Sequence, residues 1–593
     1  MPQTILNRLT APRSEHPLEL EGLRVLWWMH IATAGFLAVL FRMWNLGSIP
    51  GVNGDEAWYG MVTSQLLSGE SSTWLTPTGN PLNPFYFGPM LFLHSLFGPS
   101  FTILRVTSVV SGLVALVANV ALCRKLFGER TALISTMILA VLPINIAYSR
   151  FGWDTSQTLL ATIFVLYASA ALARCGFDIE KSEVITGRRK RRARFQDPQG
   201  RRTRFLLFSV VALGCSVLVH PTNIFLAPLV VVCALTAWQV ELRRFFARPI
   251  VRRNLVGIVA GSVVVSTIAT VIGSYLAEDT FRRLLSVDQM WDFGVGYARL
   301  FSGVTVYRYI AGTCLPAFSG DLSIFNGSIY DFLGQLLVIL AGFCVGWWLW
   351  KARPKLELVL TGGYLLSVFG FYVVAGPEAI QPHFERYALC LIAPAVLLIA
   401  RAGINVFESR RALGAVICAA ACWLLLLSFF GNYFLAMEAT GGQSHRAFRT
   451  GEVEPKFAAY ELIKYAEEPA VDQSVVIYAD EWWNHQPLAY LASKDESVTV
   501  RELRIDNAAD SQTQAMVEHL QSEDGSAWIV VFSEGDSLRQ TLDFLTTREI
   551  PATPMEQIND YAGRPVLILV KAGCGANFEP VKKPAGIALR TTL

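Results

Sequence analysis

A chain of 593 residues that is 53% hydrophobic and only 16% charged carries far less charge than the roughly one quarter of ordinary soluble proteins. The net charge is +3, and the basic residues are sorted into particular segments rather than spread over a binding face, so no nucleic-acid partner is implied. The apolar residues fall in blocks of about 20 that contain Gly and Pro, a pattern that predicts membrane helices and excludes a single soluble domain.

In chain order, residues 1–22 form a short polar N-terminus with no cleavable signal pattern. Apolar spans follow at 23–43, 102–122, 131–148, 157–173, 205–219, 222–240, 255–276, 332–350, 356–375, 387–400 and 412–436. Eleven spans place the two termini on opposite sides. With the N-terminus cytoplasmic, the inside loop 174–204 holds 11 Lys and Arg and the loop 241–253 holds five. The outside loops hold only Arg150, Arg282, Arg283, Arg299, Arg308 and Arg386. That bias orients the chain as a multi-pass protein of the plasma (inner) membrane, with the segment after the last span extracytoplasmic. The run Arg188-Arg189-Lys190-Arg191-Arg192 is then a cytoplasmic topology signal beside anionic lipid.

The first outer loop, 44–101, has no Lys or Arg and is rich in Pro, Gly, Asn and aromatics. Within it, 61–67 and 89–97 are amphipathic stretches suited to the membrane surface. The stretch 297–310 has the same character and is expected to stay outside. From 437 onward the composition is ordinary, and helix and strand patterns alternate. Helices are expected at 456–467, 483–492, 511–521 and 537–548, the last capped by Asp536. Strands are expected at 474–478, 498–503, 528–532 and 566–570. This reads as a small α/β domain with no phosphate loop and no catalytic triad, and no independent chemistry is expected of it. The chain thus divides into an N-terminus (1–22), an α-helical polytopic membrane domain (23–436) and an extracytoplasmic α/β domain (437–593).

Three outer places concentrate charge. In Gly54-Asp55-Glu56-Ala57-Trp58-Tyr59, two adjacent acids at a helix start point in different directions, so one can face a cavity while the other points aside. The bland alternative is acidic residues favoured at a helix N-terminus. Ser149-Arg150-Phe151-Gly152-Trp153-Asp154 offers an Arg and an Asp that could be no more than a surface pair. His383-Phe384-Glu385-Arg386-Tyr387 offers an Arg that either snorkels to the interface or grips a phosphate. His220 reads as a turn residue. The ten cysteines are mostly packing residues inside the spans, and Cys314 and Cys574 are a candidate pair on the outer side. No metal-ligand spacing stands out.

These residues resemble the GT-C membrane glycosyltransferases, the group that includes protein O-mannosyltransferases and the lipid A aminoarabinose transferase. The resemblance runs through about residues 20–440. It is carried by Asp55-Glu56, Arg105, Leu126-Phe127-Gly128-Glu129-Arg130-Thr131-Ala132-Leu133, Leu142-Pro143, Tyr148-Ser149-Arg150, Asp154, and His383 to Tyr387 with Pro394. It implies a GT-C fold and transfer of a sugar from a polyprenyl-phosphate donor to a protein, lipid or glycan acceptor. It implies Asp55 as general base, Asp154 as the second acid and Glu56 as support. Arg386 and Tyr387 would meet the donor phosphate. Many relatives carry Lys-Pro-Pro late in the first loop, where this chain has Phe87-Gly88-Pro89, so the phosphate charge falls to Arg105, Arg150, Arg386 and His383. No cofactor is implied, and a divalent ion is not required by the pattern. A flippase of lipid-linked glycans would need charges near the midplane of the spans, which are scarce here. A glycan polymerase or ligase of the same architecture would look alike in sequence.

Overall fold

The computed structural model describes residues 17–70, 74–186, 198–246, 286–310, 327–382, 384–435, 437, 455–467, 474–493, 495–505, 510–533, 535–559 and 565–578. The expected span 255–276, the basic run 188–192, Cys314 and His383 lie outside the described residues.

Helix α1 (Pro17–Met43) leads to α2 (Gly54–Ser68) and α3 (Pro84–Phe97) in the first loop. Both loop helices begin earlier than their apolar stretches suggest. Asn53 and Asn83 cap them, each side chain accepting a backbone N–H, and Pro84 occupies the first turn of α3, the usual N-terminal signature. Then come α4 (Phe101–Phe127), α5 (Glu129–Val141), α6 (Pro143–Tyr148), α7 (Thr158–Thr186), α8 (Pro198–Val219), α9 (Ala227–Ala237) and α10 (Gln239–Phe246). Next are α11 (Val287–Ser302), α12 (Val304–Ile310), α13 (Gly327–Ala352), α14 (Lys355–Ala375), α15 (Ile392–Val406) and α16 (Arg411–Phe429).

Among the described residues, seven helices are long and apolar enough to cross a membrane, and Trp27–Met43 and Pro221–Ala237 are shorter apolar helices. The expected span 131–148 is broken, because Pro143 cannot continue the helix of Glu129–Val141 and instead opens α6. The stretch 297–310 is divided between α11 and α12 at Gly303, whose φ is +84°. A Cβ on Gly296 of α11 would lie 2.5 Å from Ile380, so α11 rests on the turn Pro377–Ile380.

The C-terminal domain holds α17 (Pro455–Glu467), β1 (Val475–Ala479), α18 (Glu481–Ala492), β2 (Val498–Glu502), α19 (Ser511–Gln521), β3 (Ala527–Phe532), α20 (Ser537–Thr547), β4 (Ala552–Asn559) and β5 (Pro565–Ala572). The sheet order is β2-β1-β3-β5-β4. β2, β1 and β3 are parallel, while β5 runs antiparallel to both β3 and β4. Ala458, Leu462 and Leu488 pack on one face with Ile477 and Val530. Met516, Leu520 and Leu545 pack on the other with Val476 and Ile529. Every residue of β3 is therefore buried, as a central strand covered on both faces requires.

Two expectations need correction. β4 escapes the sequence pattern because it is an edge strand in which only Ile558 is buried and which carries Pro554 beside a bulge, positions where proline is tolerated. Asp536 precedes α20 without a side-chain capping bond. It pairs with Arg539 at 3.1 Å on the surface instead.

Candidate active site

The site grows from the connection between α1 and α2. Residues 44–53 contain no regular helix or strand, so their buried carbonyls must find donors elsewhere. Two arginines supply them. Arg105, near the start of α4, donates through Nη1 to the carbonyls of Leu46 (2.8 Å) and Pro50 (2.9 Å) and through Nη2 to that of Gly51 (3.1 Å). Arg150, just past α6, donates to the carbonyls of Phe41, Trp44 and Ile49 and lies over the Phe434 ring at 5.0 Å. Both are 0% exposed. Of the arginines expected at the donor phosphate, Arg105 and Arg150 thus direct these donors to the loop that delivers α2.

Glu56 belongs to the same scaffold. It is fully buried and ion-paired with Arg105. Its Oε2 also accepts from Arg105 Nε at 3.1 Å and from the Gly152 N–H at 2.8 Å. Its Oε1 closes the capping box on the Asn53 N–H at 3.1 Å. A Cβ at residue 152 would lie 3.0 Å from Glu56 Oε2 and 3.1 Å from Leu104 Cβ, so glycine is what permits this approach. Glu56 thus turns inward as structure, under the site.

Asp55 turns the other way and is half-buried. Its Oδ1 accepts the indole N–H of Trp482 at 3.0 Å. Burial pushes its carboxyl above the usual carboxylate range, Arg386 and the Trp482 bond oppose that, and Glu56 adds to it. Asp154 opens the turn before α7 and lies within electrostatic reach of Asp55 and Arg386. Tyr59, one turn along α2, lies within electrostatic reach of Asp154. Burial first, and Asp154 second, keep that phenol protonated far above its ordinary range.

Arg386 lies 5.3 Å from the Trp153 ring centre and 5.1 Å from that of Tyr387, a cation held on aromatic faces. His220 lies 5.7 Å from the Tyr387 ring, tilted by 35°, and accepts from the Thr222 N–H within its own turn. Burial, then Arg386, push its imidazole down to about 4, so it is neutral at pH 7. The structure therefore brings Asp55, Asp154, Arg386 and Tyr387 together. Nothing is described of His383 itself. Among the described residues no group of three His, Cys, Asp or Glu could hold a metal ion.

Sequence reasoning missed Trp482, Tyr59 and Trp153. The first stands 427 residues from Asp55, and no local pattern could join them. The other two sit inside the motifs already singled out.

Residues 81–176 match the family model described as dolichyl-phosphate-mannose-protein mannosyltransferase. No curated protein matches the chain. Among solved structures, ArnT from Cupriavidus metallidurans in the apo state superposes with a TM-score of 0.50 at 14% identity, over 94% of this chain and 99% of that one. ArnT from the same organism bound to undecaprenyl phosphate gives 0.49 at 13%, over 92% and 98%. The Archaeoglobus fulgidus oligosaccharyltransferase, in complex with Zn and sulfate, gives 0.44 at 13%, over 86% and 69%. With the apo ArnT superposition spanning nearly all of both chains, this chain, whose described residues include seven helices long and apolar enough to cross a membrane, has the fold of ArnT.

Proposed function

We propose that this chain moves a sugar from a polyprenyl-phosphate carrier to an acceptor hydroxyl on the extracytoplasmic face, with inversion and with Asp55 as general base. The observation that carries this reading is a half-buried Asp55, bonded by Trp482, within electrostatic reach of an Arg386 held on aromatic rings. The family match at 81–176 supports the donor class, because the family is described by a lipid-phosphate sugar.

The acceptor oxygen attacks C1 of the sugar and the new C–O bond forms there. The bond from C1 to the carrier phosphate breaks, and the electron pair leaves with the polyprenyl phosphate. The acceptor proton passes to the Asp55 carboxylate, a transfer that contributes about 10²–10⁴-fold. Arg386, backed by Trp153 and Tyr387, stabilises the charge developing on the phosphate, with His383 as a further donor. Asp154, beside Tyr59, orients the substrate hydroxyls. No cofactor or metal enters these steps. The charge bias of the loops and the helix length support this face. From Asp154, in the turn before α7, to Arg174 within α7, where the basic segment begins, the chain rises about 30 Å at roughly 1.5 Å per residue, so the basic side and the site lie at opposite ends. The acceptor is a protein, lipid or glycan hydroxyl.

The test is Asp55→Asn in the full chain in nanodiscs, assayed with a panel of undecaprenyl-phosphate-linked sugars for release of undecaprenyl phosphate. Turnover falls at least about 100-fold while the variant keeps its thermal stability. Near-normal turnover with the donor that the parent chain uses would remove Asp55 from the role.

A further inference from the structure

The C-terminal domain touches the candidate site through the first turn of α18. β1 ends at Ala479, with β2 on one side and β3 on the other, both parallel to it. The chain leaves β1 for β2 and returns across it to β3, so residues 480–482 sit at the crevice where the strand order reverses, the place where open α/β sheets present binding groups. Glu481 takes φ +51° there, a left-handed conformation that non-glycine residues hold only when the surroundings enforce it. The residue it aims is Trp482, whose indole N–H reaches Asp55.

We propose that Trp482 is a positioning residue for the reaction: the C-terminal domain supplies its indole N–H to Asp55 Oδ1, fixing the carboxylate so that Oδ2 faces the acceptor hydroxyl. The proposal rests on the reading of Asp55 as base.

The contact is built into the docking of α18 on α2. A Cβ on Gly54 would lie 2.7 Å from Trp482 Cδ1 and 2.9 Å from its carbonyl oxygen. A Cβ on Gly60, further along α2, would lie 2.5 Å from the ring of Tyr490. Tyr490 in turn bonds His94 at 3.0 Å and meets Phe101 edge-on at 5.0 Å. Beside them the fully buried Lys456 donates to the Val52 carbonyl at 3.2 Å, one residue before the Asn53 cap. Trp58 lies 6.5 Å from Trp482 and completes an aromatic wall beside the carboxylate. An indole nitrogen can only donate. It therefore anchors one carboxylate oxygen without competing for the proton that the other must take.

The groups facing Asp55 are Glu56 and Tyr59 from α2, Asp154 from the turn before α7, Arg386 from the Glu385–Leu391 turn and Trp482 from α18. A donor to the carboxylate favours its charged form. Trp482→Phe keeps the aromatic ring and removes the donor, so Asp55 becomes more basic. The acid limb of kcat/KM then moves to higher pH by about 0.5–1 unit, the worth of one such bond, and kcat falls at the plateau. A purely structural role for the tryptophan would lower the profile without moving its limb.

The experiment uses the full chain in nanodiscs with the undecaprenyl-phosphate sugar that supports turnover. It compares pH profiles of the parent, Trp482→Phe and Asp55→Asn chains. In parallel, 5-fluorotryptophan labelling identifies the Trp482 resonance as the one lost in Trp482→Phe. That resonance titrates with Asp55 and stops titrating in Asp55→Asn. A shifted limb together with this linked titration supports the proposal. An inactive Asp55→Asn with an unmoved limb in Trp482→Phe overturns the positioning role alone, as does a Trp482 resonance indifferent to Asp55→Asn. Near-normal turnover by Asp55→Asn overturns the base and the positioning role together.

Discussion

Glu56→Gln tests the scaffold under the site most directly. The carboxylate accepts from four N–H groups: two of Arg105, one of Asn53 and one of Gly152. A glutamine oxygen in the Oε1 position keeps the Asn53 and Arg105 Nη2 donors. Its amide nitrogen then meets Arg105 Nε–H and the Gly152 N–H, donor against donor. Two buried donors lose their partner, each costing about 1–3 kcal/mol, and the Arg105 charge keeps only the carbonyls of Leu46, Pro50 and Gly51. Since both side chains are essentially inaccessible, at 0% and 1% exposure, water cannot compensate. The expected loss is about 3–5 kcal/mol, that of breaking a buried pair by removing one partner. Apparent stability measured by SDS titration in mixed micelles reads the loss. Turnover falls with it, because the cap at Asn53 and the direction of Asp55 depend on the same carboxylate. A loss below about 1 kcal/mol, the scale of a surface pair, would refute the reasoning.

Two further outcomes follow from the structure. Gly60→Ala drives a Cβ to within 2.5 Å of the Tyr490 ring, and overpacking of this kind costs about 1–3 kcal/mol; limited proteolysis between the membrane and C-terminal domains should become faster, and an unchanged rate would show that α18 does not depend on this contact. Asp480, buried behind β1, has its carboxyl pushed up to about 6, by burial first, against the bonds from Asn484 and Phe532. Because the folded value lies above the unfolded one of about 3.9, its stabilising contribution is complete below that value and is lost as pH rises through about 6, an effect of roughly 3 kcal/mol. Unfolding of the C-terminal domain in the full chain should therefore grow easier between pH 4 and 7, more steeply than in Asp480→Asn, and parallel pH curves for the two chains would contradict this.

Much of the architecture is legible in the sequence because hydropathy and charge are local quantities. The described spans follow the apolar blocks, and the helices and central strands of the C-terminal domain fall within a few residues of their patterns. Reading fails where local pattern is silent. The edge strand β4 buries only Ile558 fully and shows no regular alternation, and the α3 helix begins at an asparagine cap rather than at its apolar run.

The sequence by itself determined that Asp55 and Glu56 point apart, since adjacent residues on a helix cannot share a face. Only the tertiary structure decided which of them is buried. Arg105, 49 residues away, and the Gly152 N–H claim Glu56, while Trp482 of the other domain claims Asp55. The same holds for the arginines. A sequence shows positive charges at the outer ends of the spans and beyond them, but whether an arginine meets a phosphate or a backbone carbonyl depends on what the fold packs around it. Arg105 and Arg150 are enclosed by a loop whose carbonyls need donors, and Arg386 is held on aromatic rings beside Asp55 and Asp154.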